Sequence, residues 1–231
     1  MPFFFFPFDP LYLYLVLPAL LFSLWAQFRV KRSFNVYSKQ RIMKGTTGAE
    51  AASEILRRAG VTDVRIERVS GNLTDHFDPR ENVVRLSESV HDSATVAAVG
   101  VAAHEAGHAI QYAVHYSPIK IRTAILPITR FGSSLAIPLV LFGIFFEMTG
   151  LINLGIILFG AVVLFQLVTL PVEFNASRRA MQALRDTGLL ASAELPGSRK
   201  VLSAAALTYV GALAVSLAQF LRFVIIARRR R

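Results

Sequence analysis

Four apolar runs, at residues 11–28, 131–148, 151–172 and 201–227, constrain this chain more than anything else in it. A helix needs ~20 apolar residues to cross a bilayer, with ~17 to 25 the usual range, and each run reaches that length. Hydrophobic residues make up 54% of the chain and its mean hydropathy is +0.49, high for a water-soluble domain. The expectation is an α-helical membrane protein with about four transmembrane helices. The opening segment MPFFFFPFDP carries no positive residue and no small-residue cleavage site follows it. The first run therefore reads as a retained span rather than a signal peptide.

Charge sets the expected topology. Arg29, Lys31, Arg32, Lys39, Arg41 and Lys44 follow the first run directly, which places that side in the cytoplasm and the N-terminus outside. The second and third runs meet at Thr149-Gly150, a turn without Lys or Arg between two basic flanks, as in an outward-facing hairpin. Glu147 beside it reads as an interfacial carboxylate. The formal net charge of +10 lies in segments next to apolar runs, which fits topology and lipid contact and gives no sign of nucleic-acid binding. One inconsistency remains. Four spans put the basic tail at 228–231 outside, and Arg222 inside the last run suggests a helix that stops short, re-enters or lies along the inner surface.

Between the first two runs the composition is that of a small α+β domain. Thr47 and Glu50 have capping-box spacing, and Gly60 closes the helix they start. VTDVRIERV alternates like a half-buried strand, and LTDHFDPRENVVRL reads as a hairpin turning at Asp78-Pro79-Arg80-Glu81-Asn82, with Asp75 and Asp78 as turn formers. A small antiparallel sheet is expected, with an edge able to hold an extended peptide or simply to pack on a helix.

The segment VGVAAHEAGHAIQY, residues 99–112, carries His104, Glu105 and His108 in the pattern His-Glu-x-x-His. On a helix the two imidazoles stand one turn apart on one face, which suits zinc, and the carboxylate beside them can take a proton from an attacking water. Small residues on either side leave room for a metal. The helix is expected to start at Asp92 or Ser93 and end before Pro118. With only about nine apolar residues before His104, it is too short to span a membrane there and reads as a core helix. The chain has no cysteine, so a third ligand must be histidine or carboxylate. Glu173 is preferred, since it follows a span directly with Ala176, Ser177 and Ala180 on its helical face; Asp186 is the alternative. Its segment, PVEFNASRRAMQALRDTG, reads as a helix from near Pro171 to Gly188.

Here the chain resembles the gluzincin plan, in which a glutamate from a later helix completes a His-Glu-x-x-His site, and specifically the YugP-like family of bacterial membrane zinc metallopeptidases. The resemblance rests on NLTDHFDPRENVVRLSESV, AVGVAAHEAGHAIQ and LPVEFNASRRA with their flanking apolar runs. It implies one zinc per chain held by His104, His108 and Glu173. It also implies Glu105 as a general base that later protonates the leaving amine, and protein or peptide substrates. Distantly similar HtpX-like peptidases carry an aspartate one turn after the glutamate ligand, where this chain has Ser177, a residue able to hydrogen-bond a ligand without adding charge. Candidates for oxyanion stabilisation are His76, Arg178 and Tyr209. A hairpin hydrogen bond competes for His76, and lipid head-group anchoring competes for Arg178 with Arg179. His91 and His115 are ordinary polar residues near helix ends.

The expected organisation is then a first span (11–28), a cytoplasmic zincin-like domain (29–130), a membrane hairpin (131–172), a third-ligand helix and loop (173–200), a last span (201–227) and the tail (228–231). The favoured function is a cell-membrane, multi-pass zinc endopeptidase. Two alternatives are an intramembrane zinc protease using Asp186, and a non-catalytic membrane adaptor.

Overall fold

The computed structural model describes residues 9–229. The opening phenylalanine-rich segment and the last two arginines of the tail lie outside the described residues. The chain forms two compact units, one from the chain up to Ala26, Ile121–Pro171 and Leu207 onward, the other from Gln27–Lys120 and Val172–Ala206.

The first unit is built from membrane-type helices. A π-helical turn, Tyr12–Val16, runs into α1, Leu17–Tyr37; α5 spans Ser117–Phe145, α6 Thr149–Thr187 and α7 Leu195–Arg228. All four are long and apolar enough to cross a membrane. Ala136, Val140, Ile144, Ile152, Phe159 and Phe223 fill the unit's core, with the rings of Phe159 and Phe223 edge to face at 5.5 Å. Its outer faces remain apolar, with Phe131 72% and Ile157 70% exposed, as lipid-facing positions should be. The α5–α6 turn falls at residues 146–148, just before the Thr149-Gly150 position expected, and Glu147 adopts φ +58 there on the exposed surface.

Arg222 neither stops nor bends the last helix. It is 1% exposed, its Nε donates to Asp9 Oδ2 at 2.9 Å, its Nη2 donates to the same oxygen, and its guanidinium lies 5.3 Å from the Tyr12 ring centre. Asp9 Oδ1 accepts from Tyr12 N–H at 2.8 Å, capping the first helix. A paired and capped charge can sit in an apolar bundle, so α7 continues to Arg228. The pairing also puts the start of the first helix and the end of the last at the same face of this unit.

The second unit has a three-stranded sheet, two short helices and α4. Thr47 and Glu50 form the capping box of α2, Gly48–Arg58, and Gly60 follows with φ +72. Strands β1, Arg65–Val69, β2, His76–Asp78, and β3, Val83–Ser87, are ordered β1-β3-β2. The hairpin β2–β3 is antiparallel with Phe77 opposite Val84, but β1 runs parallel to β3, with Ile66 opposite Val84. The sheet is therefore mixed rather than antiparallel. Alternation in VTDVRIERV marks a strand without marking its direction, which the loop at residues 70–75 decides by carrying the chain across β3.

After α3, Glu88–His91, the chain is extended as far as Thr95, and α4 is Val96–Ala113. Helix α4 thus begins later than Asp92 or Ser93. Ile42 N–H donates to Ala94 O and Val96 N–H to Gln40 O, a bridge between Arg41 and Thr95 that holds the chain extended up to Thr95. Asp92 is taken up by His91 and Arg68, and Thr95 Oγ1 accepts from Ala98 N–H instead. Thirteen of the 18 residues of α4 are buried, under α2, α3 and β2. That makes it a core helix. The segment bearing Glu173 is no separate helix, because α6 continues through Pro171 to Thr187 and Gly188 ends it at φ +61. A proline costs one backbone hydrogen bond, and the apolar periodicity on both sides carries the helix past it.

Candidate metal centre

Helix α4 presents His104 and His108 one turn apart, with ring centres 4.7 Å apart. Opposite them is Glu173 on α6, 1% exposed. Gly107 permits the approach, since a Cβ there would lie 2.8 Å from the Ala176 carbonyl oxygen. With no side chain between the two helices, the imidazoles reach the carboxylate.

Three lone-pair atoms converge. His104 Nε2 and His108 Nε2 are 3.2 Å apart, and Glu173 Oε2 lies 3.3 Å from the first and 3.5 Å from the second. Donors placed tetrahedrally about 2.0–2.1 Å from zinc stand roughly 3.3–3.4 Å from one another. The three atoms therefore have the spacing of three corners of a zinc tetrahedron, and among the described residues they form the group able to hold a metal ion. Two imidazoles and a carboxylate with no thiolate suit zinc.

The far side of each ring is held in place. Gln111 is fully buried, and its Nε2 donates to Val172 O and Asn175 Oδ1, both at 2.9 Å. Its amide orientation is thereby set, and Oε1 accepts from His108 Nδ1–H at 3.0 Å. This hydrogen bond places the Nδ1 proton of His108 on the Gln111 side and turns Nε2 toward the metal position. Arg179 Nε donates to Asn175 Oδ1 at 2.8 Å and extends the network. Ser177 Oγ lies 3.2 Å from His104 Nδ1 and can accept its proton when Nε2 serves as ligand.

Glu105 is 8% exposed and flanks His104. Burial pushes its carboxyl up to about 7; the His104 charge opposes this, and the charges of Glu173 and Asp75 reinforce it. A carboxylate with a proton affinity in that range can both take and return a proton near neutral pH.

The remaining sequence candidates separate. His76, on β2, donates from Nδ1 to Thr74 O at 2.8 Å, and its charge is felt by Glu105. Arg178 is exposed on α6, one residue beyond Ser177. Tyr209 is on α7 in the other unit and half-buried. Asp186 is exposed, lies roughly 20 Å further along α6 than Glu173, and is outside the metal-binding group. Asp78 is the turn former expected, its Oδ1 accepting from Arg80 N–H at 2.9 Å. Asp75 is not. It accepts from both the N–H and the Oγ of Ser87, at 2.8 and 3.0 Å, and so ties the start of the hairpin to the end of β3. Gln111 and Asn175 escaped the sequence reading, although Gln111 follows His108 by three residues and so lies on the face of the metal motif.

Comparison with known proteins agrees with this geometry. Residues 12–228 match the family described as "Putative neutral zinc metallopeptidase". Over 216 residues the chain is 50% identical to the "Putative membrane protease YugP" of Bacillus subtilis (strain 168), covering 94% of this chain and 96% of the relative. No solved structure matches the chain.

Proposed function

The chain belongs to this family of zinc metallopeptidases, and from that premise we propose that it is an integral-membrane, zinc-dependent endopeptidase of gluzincin type. It would act on membrane or membrane-proximal proteins. The observation that carries the proposal is the convergence of His104 Nε2, His108 Nε2 and Glu173 Oε2 beside the buried carboxyl of Glu105.

Zinc held by these atoms supplies a Lewis acid that acidifies water and polarises a carbonyl. Glu105 takes the proton of the attacking water as its oxygen bonds to the scissile carbonyl carbon. When the C–N bond breaks, Glu105 returns that proton to the leaving nitrogen. Gln111 and Ser177 keep each imidazole proton on Nδ1, away from the metal-facing nitrogen. In the order β1-β3-β2, strand β2 is a sheet edge that also packs on α4, with the Phe77 and Tyr112 rings 6.0 Å apart. Its outer edge offers backbone groups to an extended peptide. The basic residues that follow the apolar part of α1 favour a cytoplasmic location for this unit.

The test is metal content and cleavage of an unfolded protein by the detergent-purified wild type, Glu105→Gln and Glu173→Ala. Wild type and Glu105→Gln should each hold one zinc per chain, Glu173→Ala should hold none, and wild type alone should cleave. A Glu105→Gln variant that still cleaves would overturn the mechanism. A non-catalytic adaptor would instead bind zinc in wild type without cleaving anything.

A further inference from the structure

On α6, Phe174, Arg178, Met181 and Arg185 recur at intervals of three to four and make one stripe; on α7, Arg199, Leu202 and Ala206 make another. The two stripes line a groove of about 480 Å³ within the second unit. Its three guanidinium groups have no carboxylate among the lining residues, and among the described residues none of the three makes an ion pair. Three uncompensated cations on a partly apolar surface are complementary to an anion that carries hydrocarbon.

The groove is graded along its length. Phe174, 45% exposed, and Ala206 lie where α6 and α7 leave their long apolar runs, while Arg185 and Arg199 lie at the opposite end of the lining. Side chains on α6 lean toward its N-terminus, which is its membrane end, so Arg178 leans toward the apolar end of the groove. A peptide has no reason to follow such a gradient. A phospholipid does, with acyl carbons toward Phe174, Met181 and Leu202 and a phosphate between Arg185 and Arg199, whose planar forks match phosphate oxygens. We propose that this groove is a binding site for an anionic phospholipid, seated between α6 and α7. Ser177, whose hydroxyl lies 3.2 Å from His104 Nδ1, forms part of the wall, so the lipid would sit against the back of the metal centre.

The test is native mass spectrometry of the full chain in detergent, with phosphatidylglycerol or phosphatidylcholine added at equal concentration and zinc content followed in parallel. It needs no peptidase activity, so it can fail while the peptidase proposal stands. Wild type should retain phosphatidylglycerol in preference, and Arg185→Gln with Arg199→Gln should weaken that retention about 30-fold while zinc stays bound. Ser203→Trp should also abolish retention, because it fills the groove without removing a charge; this variant decides the matter if the double substitution fails to fold. Equal retention of both lipids by wild type would overturn the proposal. So would unchanged retention by Ser203→Trp, or displacement of the lipid by an acidic peptide or by inorganic phosphate at equal concentration.

Discussion

Each unit of this protein buries a carboxylate among nitrogen bases, with opposite consequences. In the first, Asp9 meets the guanidinium of Arg222, a base that is always charged, and the backbone of Tyr12 takes the other oxygen. In the second, Glu173 meets two imidazoles, and Gln111 accepts the Nδ1 proton of His108 in a hydrogen bond, so that Nε2 is the atom turned toward the carboxylate. The first cluster pairs opposite charges and serves to join the two ends of a helical bundle. The second gathers three potential metal-ligand atoms around one point. The tautomer, more than the burial, separates a structural ion pair from a metal centre.

The largest test of that contrast removes each carboxylate in turn. Glu173→Ala should abolish zinc binding and lower cleavage by about 10³-fold or more, since it takes away a ligand and with it the Lewis acid. Asp9→Ala should leave zinc in place and instead cost about 3–5 kcal/mol of stability by stranding Arg222, read as a lower Tm of the detergent-solubilised protein. The double variant Asp9→Leu with Arg222→Met should recover most of that loss, because an apolar pair needs no partner. Zinc lost in Asp9→Ala at temperatures where the chain is still folded would break the division of roles.

Gly107→Ala is the next largest perturbation. The added methyl meets the Ala176 carbonyl oxygen at 2.8 Å, so α4 and α6 must separate. A shift on the order of 1 Å should reduce cleavage about 10²-fold while the chain still folds. Wild-type rates in this variant would show that the centre tolerates looser helices than the ligand spacing implies.

Gln111→Leu tests the tautomer directly. Zinc affinity should fall about 10-fold or somewhat more, by competition with a chelator, because His108 Nδ1 loses its acceptor. Ser177→Ala should do less, a hydroxyl being able to accept or donate.

The last expected effect concerns pH. In zinc-stripped protein the Glu105 carboxyl is raised from the ordinary 4.5 to about 7, so the folded state holds a proton that the unfolded state has released. Stability from this group is therefore full below pH 4.5 and is lost as pH rises to about 7. Asp75, raised by burial against the pull of its Ser87 hydrogen bonds, adds a slope of the same sign. Thermal unfolding with chelator present should show a Tm that declines over this window, and Glu105→Gln should flatten it. A Tm indifferent to pH in wild type would mean that the carboxyl is not desolvated.

Much of the molecule was legible in the residues alone, where the signal is local. The apolar runs, the Thr47–Glu50 box and the terminating glycines each state their structure within a few positions. The metal motif is local in the same sense, since His104 and His108 share a helix face by spacing. What the residues left ambiguous involves partners distant in the chain. The direction of β1 depends on which edge of β3 it meets, the start of α4 on contacts with residues 40–42, and Arg222 on a carboxylate 213 positions away.

The sequence by itself determined the helical membrane character, the two histidines with their adjacent glutamate, and a short choice of third ligand, because periodicity and hydropathy act over a few turns. Only the tertiary structure decided between Glu173 and Asp186 as the carboxylate facing the imidazoles, and brought Gln111, Asn175 and Ser177 behind the rings. Those outcomes depend on how closely α4 approaches α6, a distance that a missing Cβ at Gly107 allows and that no local pattern records.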